Sequence, residues 1–207
     1  MTEAGLCCLR EKCTQAFGTR WPNALHPLVF GDGLAAEPAL MLIGEAPGEQ
    51  ESIAGKPFVG KAGKNLDGFL ETLKLTRSEI YISNVVKIRP VKESKTGRLS
   101  NRPPTLAEIH FFAPWLMKEI ALVRPKALVT LGNIALHALM PQAGTIGECH
   151  GKWHKATVEL KRPTKKAIPL FALYHPASII YRPELKTTYR QDLEILRDSL
   201  HRGGTDS

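Results

Sequence analysis

No stretch of this chain approaches the roughly 18 consecutive apolar residues that a membrane-spanning helix needs, which excludes a helical membrane span. The opening Met1-Thr2-Glu3-Ala4-Gly5 lacks the charged-then-apolar order of a secretory signal. A cytoplasmic protein is therefore expected. Cysteine is scarce, and Cys7, Cys8, Cys13 and Cys149 form no Cys-x-x-Cys pair. In that compartment they are thiols or ligands rather than disulfides. Familiar catalytic motifs are missing too. No serine or cysteine sits in a nucleophile elbow, and there is no His-x-x-Glu-His-type metal motif. The glycine-rich stretch is neither Gly-x-Gly-x-x-Gly nor a Walker A loop, because Lys61 and Lys64 fall out of frame.

What is present suits a single domain over 1–207: 207 residues bury a full core, and 43% hydrophobic residues mark a globular chain. The formal net charge is +8. That excess favours a polyanionic partner, nucleic acid first; a merely basic protein stays an equal alternative on composition alone.

Residues 1–36 read as an irregular wrap along one edge, with His26 an ordinary surface histidine. Leu40-Met41-Leu42-Ile43 is a short apolar run bounded by turn residues, hence a fully buried strand. It feeds Gly44-Glu45-Ala46-Pro47-Gly48-Glu49-Gln50-Glu51, which runs on to Gly55-Lys56-Pro57-Phe58-Val59-Gly60. Leu66, Phe69, Leu70 and Leu73 recur at helical spacing, so 63–75 is a helix. Ile80 to Val86 is the second strand. Residues 87–104 are a basic loop with Arg98 and Arg102, suited to phosphates or simply solvated. Thr105-Leu106-Ala107-Glu108 is a capping box, starting a helix that stops before Pro125. Ala127 to Leu131 is the third strand, and Gly132-Asn133 opens the helix Ile134 to Met140. The glycine there either exposes a helix N-terminus to an anion or permits tight packing. Residues 141–167 read as a long connection. Pro169 to Tyr174 is the fourth strand, and Thr188 to Gln191 caps a last helix before a frayed tail, 203–207.

Four buried strands about 40 residues apart with helices between them predict a mostly parallel sheet covered on both faces. Each strand end carries a polar or glycine marker: Glu45, Asn84, Gly132-Asn133 and His175. Ligands of open α/β sheets bind at those ends, so these residues are expected to converge. A carboxamide matches the paired donor and acceptor edge of a nucleobase. An aromatic face such as Phe58 stacks a base. An imidazole stabilises charge developing on a base oxygen, and a carboxylate activates water or supports a cationic sugar. Together they suit cleavage of a base–sugar bond in a flipped nucleotide.

Gly44-Glu45-Ala46-Pro47-Gly48-Glu49, Gly55-x-Pro57-Phe58-Val59-Gly60-x-Ala62-Gly63, Asn84-Val85-Val86-Lys87 and His175-Pro176-Ala177 resemble the signature of family 4 uracil-DNA glycosylases. Asn101-Arg102-x-Pro104-Thr105 and Leu131-Gly132 extend the resemblance. It implies an α/β fold, a three-layer α/β/α sandwich around a mostly parallel four-stranded sheet. It implies a monofunctional enzyme hydrolysing the N-glycosidic bond of uracil in DNA. Phe58 would stack the base, with Gly44 and Ala46 in its pocket. Asn84 would read its edge and reject cytosine. His175 would donate to the departing oxygen. Glu45 and Glu51 would share water and sugar, without apportionment. Ile179, Ile180 and Tyr181 would wedge the stack. Lys61, Lys64, Arg98, Arg102, Asn133, Arg182 and Lys186 would contact DNA. A monomer is expected.

The chain departs from that family in two places. The family usually carries a [4Fe–4S] cluster, yet two of its ligand positions hold Ile88 and Phe112 or Phe111 here, and a cluster wants four thiolates. Neither a cluster nor another metal is expected; a zinc site using Cys7 or Cys8, Cys13, Cys149 and a histidine is the alternative. The 87–104 loop is longer than usual, as in a branch that traps the abasic sugar on a histidine. This loop has none, so ordinary turnover without a covalent product is expected. The functional alternatives are a glycosylase for hypoxanthine or xanthine and a non-catalytic DNA-binding relative.

Overall fold

The computed structural model describes residues 2–22, 24, 27–161 and 164–202. His26 and the tail 203–207, read above as surface and frayed, lie outside the described residues. The four expected strands form at β2 (Leu40–Gly44), β3 (Tyr81–Asn84), β6 (Ala127–Leu131) and β8 (Thr164–Leu173). They run parallel in the order β3-β2-β6-β8. Two edge strands, β1 (Asp32–Gly33) beside β3 and β7 (Trp153–Lys161) beside β8, are antiparallel and complete a six-stranded sheet.

The parallel strands are continuous apolar runs because both faces are covered, and period-two alternation sorts their side chains. On one face Met41, Ile43, Leu128, Leu170 and Ala172 pack against α1 (Thr2–Arg20), α4 (Leu106–Val123) and α5 (Asn133–Leu139). On the other, Leu40, Leu42, Ile82, Val129 and Phe171 meet α3 (Lys61–Leu73) and α8 (Leu185–His201). The short helices α2 (Glu49–Ala54), α6 (Ile146–Cys149) and α7 (Ser178–Tyr181) lie in the connections. The result is the three-layer α/β/α arrangement.

Several expectations need correction. The segment 1–36 is not an irregular wrap: its first half is the 19-residue helix α1. Its buried stripe, Leu6, Leu9, Cys13 and Phe17, is one residue wide and includes a cysteine, so it is faint as a sequence pattern. Among the described residues the sheet has six strands, not four. The 141–167 segment contains β7, an edge strand whose inward residues Ala156 and Val158 alternate with polar ones. The 87–104 loop holds a hairpin, β4 (Val91–Glu93) with β5 (Leu99–Asn101). The last helix begins at Leu185, three residues before the expected cap. The capping box at Thr105 is present: Glu108 N donates to Thr105 Oγ1 and Thr105 N to Glu108 Oε2.

Candidate active site

β2 and β3 end side by side, with Gly44 opposite Asn84. Parallel pairing continues past the strand ends, where Val85 N donates to Gly44 O and Val86 N to Glu45 O. β6 and β8 end together with Leu131 opposite Leu173. Gly132 then takes φ +90°, and a Cβ there would come within 3.3 Å of His175 Cβ. That glycine therefore serves the close approach of two strand ends. The ends of β2, β3 and β8 open on one cavity of about 750 Å³, lined by Glu45, Glu51, Phe58, Asn84 and His175, whereas Gly132 and Asn133 at the end of β6 are not among its lining residues. Residues up to 130 positions apart meet there, as the topology requires.

The cavity floor is packed without slack. A Cβ on Gly44 would collide with Asn84 Oδ1 and the Phe58 ring, so this position takes only glycine. Phe58 is buried and sits at φ +54°, a left-handed conformation that is uncommon for an aromatic residue. Arg77 holds it there, donating from Nη2 to Phe58 O at 2.7 Å while its Nε binds Asp67 at 2.7 Å. Gly63 clears space for the same carbonyl. The Phe58 ring lies 5.9 Å from the His175 ring at 33°.

Asn84 is 2% exposed, and its Oδ1 has no hydrogen-bond partner among the described residues. An orphaned buried acceptor is costly, so a ligand N–H is the natural complement. His175 accepts from Ala177 N at Nδ1, 3.1 Å. Its neutral form therefore carries the proton on Nε2. Burial pulls its pKa down to about 4, with Glu51 pulling the other way. The ring is a neutral donor across the physiological range.

The two carboxylates differ. Glu51 is buried, and its oxygens accept from Gly48 N at 3.0 Å and Gly60 N at 2.7 Å. It joins the two ends of the glycine-rich stretch. Glu45 is half-buried, and burial raises its pKa above the usual carboxylate range.

The expected DNA-contacting residues also divide. Lys61 is exposed at the cavity. Lys64 and Lys186 line a neighbouring groove of about 380 Å³ with Ile179. Arg98 and Arg182 are exposed. Ile180 and Tyr181, 46% and 83% exposed, project from α7 beside the cavity. Arg102 lines the cavity as well, but its side chain is tied back. Its guanidinium grips Glu108 through Nη1 at 2.8 Å and Nη2 at 2.7 Å, and Nε binds Val91 O at 3.0 Å. Asn133 Oδ1 caps Ile146 N at 2.7 Å. Both side chains are thus engaged within the fold.

Sequence reasoning missed Asn101, which lines the cavity and is tied by Arg89, Nε to Oδ1 at 2.7 Å. Arg89 also reaches Glu49 at 3.1 Å, fastening the hairpin to the glycine-rich stretch. The polar Asn101 beside the capping box was the available signal.

The residues at the implied cluster positions do not fit a cluster. Phe112 stacks on Phe17 at 5.6 Å, and Phe111 packs edge-on to Phe112 and Trp21 at 4.9 Å each. Ile88 packs against the same core. Burial pushes the Cys13 thiol up to about 12, which keeps it protonated. Cys7 and Cys8 are exposed and Cys149 is buried. Among the described residues no three His, Cys, Asp or Glu side chains gather as a metal site. No helix among them is long and apolar enough to cross a membrane.

Residues 30–197 match the family model of the uracil DNA glycosylase superfamily. The type-4 uracil-DNA glycosylase of Archaeoglobus fulgidus is 35% identical over 159 residues, covering 75% of this chain and 73% of that protein. The type-4 uracil-DNA glycosylase of Saccharolobus solfataricus is 35% identical over 166 residues, covering 78% and 71%. A crystal structure of wild-type SMUG2 from Pedobacter heparinus shares the fold, with TM-score 0.53, 12% identity, and coverage of 81% of this chain and 77% of that one.

Proposed function

This chain belongs to the uracil-DNA glycosylase superfamily, and we propose that Glu45, Phe58, Asn84 and His175 carry out uracil excision in the strand-end cavity. The protein is a uracil-DNA glycosylase acting in DNA repair. A flipped uracil lies against Phe58. Asn84 Oδ1 accepts the N3–H and its amide nitrogen donates to O4. Cytosine presents the reverse pattern, an acceptor at N3 and a donor at C4, so it leaves both Asn84 groups mismatched. As the C1′–N1 bond breaks, its electron pair passes into the base. His175 Nε2–H donates to the oxygen where that charge collects. A neutral imidazole suffices, since the uracil anion is spread over the ring. Glu45 orients the water that bonds to C1′ and takes its proton. Glu51 braces the loop and adds negative charge near the sugar.

The observation that carries this reading is the orphaned Asn84 Oδ1, buried beside Phe58 over a glycine that admits no Cβ. Ile180 and Tyr181 wedge the base stack. Lys61, Lys64, Lys186, Arg98 and Arg182 take phosphates; Arg102 and Asn133 do not. The protein works as a cytoplasmic monomer, without an iron–sulfur cluster or other metal, and releases its product without a covalent bond. The ring packing of Phe111 and Phe112, with Ile88 against the same core, supports the absence of a cluster.

The test is cleavage of labelled oligonucleotides carrying uracil, hypoxanthine or xanthine, followed by alkali at abasic sites. Strand breaks at uracil alone are expected. Breaks confined to hypoxanthine or xanthine overturn the base assignment, and no breaks in any strand overturn the enzyme. A protein–DNA band surviving boiling in detergent contradicts ordinary turnover. Iron or zinc at one equivalent contradicts the metal-free reading.

A further inference from the structure

Lys87 and Glu119 form an ion pair in the interior, 1% and 2% exposed. Every polar atom in it is used. Lys87 Nζ donates its three hydrogens to Glu119 Oε2 at 2.6 Å, Ser83 Oγ at 2.7 Å and Asn84 O at 2.8 Å. Glu119 Oε2 also accepts from Ser83 Oγ at 2.8 Å. Its Oε1 accepts from Tyr81 Oη at 3.0 Å and Gly31 N at 3.2 Å. Arg10 of α1 holds the far side of Gly31, donating to its carbonyl at 2.7 Å. Ammonium and carboxylate thereby meet their full bonding capacity.

Such a pair is a poor source of stability. Desolvating two charges costs about as much as their attraction returns, and apolar side chains of similar volume often serve equally well. The position of this pair is more informative than its energy. All its partners but one are structural: two side chains of β3, the backbone of residue 31 and the carboxylate itself. The remaining bond goes to the main-chain carbonyl of Asn84. The side chain of Asn84, in contrast, is left for a ligand, with Oδ1 unpartnered among the described residues. Its aim is set from behind, by the backbone and by the packing against Gly44.

We propose that Lys87 is a positioning residue, held by Glu119, that fixes the Asn84 backbone so that its carboxamide meets the base edge. The proposal rests on the reading of Asn84 as the base-reading residue. Lys87 reaches neither substrate nor water. It acts by removing the freedom of the peptide that carries Asn84, and misplacement of a reacting or recognising group by about 1 Å costs about a hundredfold in rate. The tether also links the site to α4 through Glu119 and, by way of Gly31 and Arg10, to α1.

The test uses Lys87→Met, Glu119→Gln and the paired apolar replacement Lys87→Met/Glu119→Met, each in the natural background and with Asn84→Ala. Thermal unfolding identifies the variants that fold. For those, single-turnover cleavage of a uracil oligonucleotide gives the maximal rate and the half-saturating protein concentration. The expected result is a maximal rate lowered about a hundredfold, with half-saturation nearly unchanged. With Asn84→Ala already present, the same replacement changes the rate by less than about twofold, because coupled residues are not additive. An undiminished rate in a folded variant overturns the proposal. So does an equal loss in both backgrounds, which marks a general loosening of the fold. If none of the variants folds, the pair is a stability element and the proposal falls. Full cleavage by Asn84→Ala alone identifies a different failure, that of the base-reading assignment, and removes the brace with it.

Discussion

The cavity at the strand ends and the aromatic cluster beneath α1 and α4 are both interior, yet they are built on opposite terms. In the cluster, Phe17, Trp21, Phe111 and Phe112 fill space ring against ring. In the cavity, a carboxamide oxygen lacks a partner among the described residues, an aromatic residue is held left-handed, and a histidine and a glutamate are both driven towards their neutral forms. Natural folds keep such costs where a ligand offsets them. The comparison separates what this chain uses to fold from what it uses to react, and each side can be broken without the other.

The largest expected effect lies in the cavity. With His175 as the proposed donor to the departing base, His175→Ala is expected to lower the single-turnover rate by about 10²–10³-fold, with little change in the unfolding midpoint. A comparable loss of stability instead would assign His175 to the fold. The mirror experiment is Phe112→Ala, which leaves a void among the rings and costs about 3–5 kcal/mol in denaturant unfolding. Cleavage per folded molecule stays unchanged. A drop in that rate would show that the cluster also shapes the site.

A pH profile sharpens the contrast between the site's two titrating groups. In the proposed mechanism Glu45 must be ionised to take a proton from water, and its pKa is raised by burial. Activity therefore falls with acid at a higher pH than an ordinary carboxylate would give. Glu45→Gln removes that limb along with most of the rate. His175 contributes no limb near its ordinary value, because folding holds its pKa at about 4. The sign for stability follows from the same depression. The unfolded imidazole takes up a proton below about 6.5 and the folded one only near 4, so stability is lost as pH falls through that window. A rate limb near 6.5 that disappears in His175→Ala would contradict the neutral donor.

The smallest effect separates two kinds of surface cation. Lys61→Ala and Lys186→Ala each lower the slope of log affinity against log salt by about 0.7–0.9. Arg102→Ala leaves the slope unchanged and lowers stability by about 1–3 kcal/mol, since Glu108 loses its cation and keeps only its bonds to Thr105. A changed slope in Arg102→Ala would return that residue to the DNA interface.

The four parallel strands were legible because burial on both faces leaves nothing but apolar side chains in each run, as in Leu40 to Ile43. β7 was not: an edge strand shows one face to solvent, and lysines break its pattern. The stripe of α1 was too narrow to read, with Cys13 standing where an aliphatic residue would have marked it. At the site, the convergence of Glu45, Asn84 and His175 was legible because parallel strands end on one side of the sheet. The residues that hold them were not. Nothing in the string indicates that Arg102 turns inward to Glu108, or that Lys87 and Glu119 meet across 32 positions. Both are properties of how a helix docks on a strand, and composition is blind to docking.

In the proposed mechanism uracil is read by the buried Asn84, whose Oδ1 has no partner among the described residues. The most direct test of that reading is single-turnover cleavage of a uracil oligonucleotide by Asn84→Ala, beside the natural protein and with both unfolding midpoints measured. The expected result is a rate lower by at least about a hundredfold in a variant no less stable than its parent, because the substitution relieves an orphaned acceptor. Equal rates, or a loss of rate matched by a loss of folded protein, would contradict it.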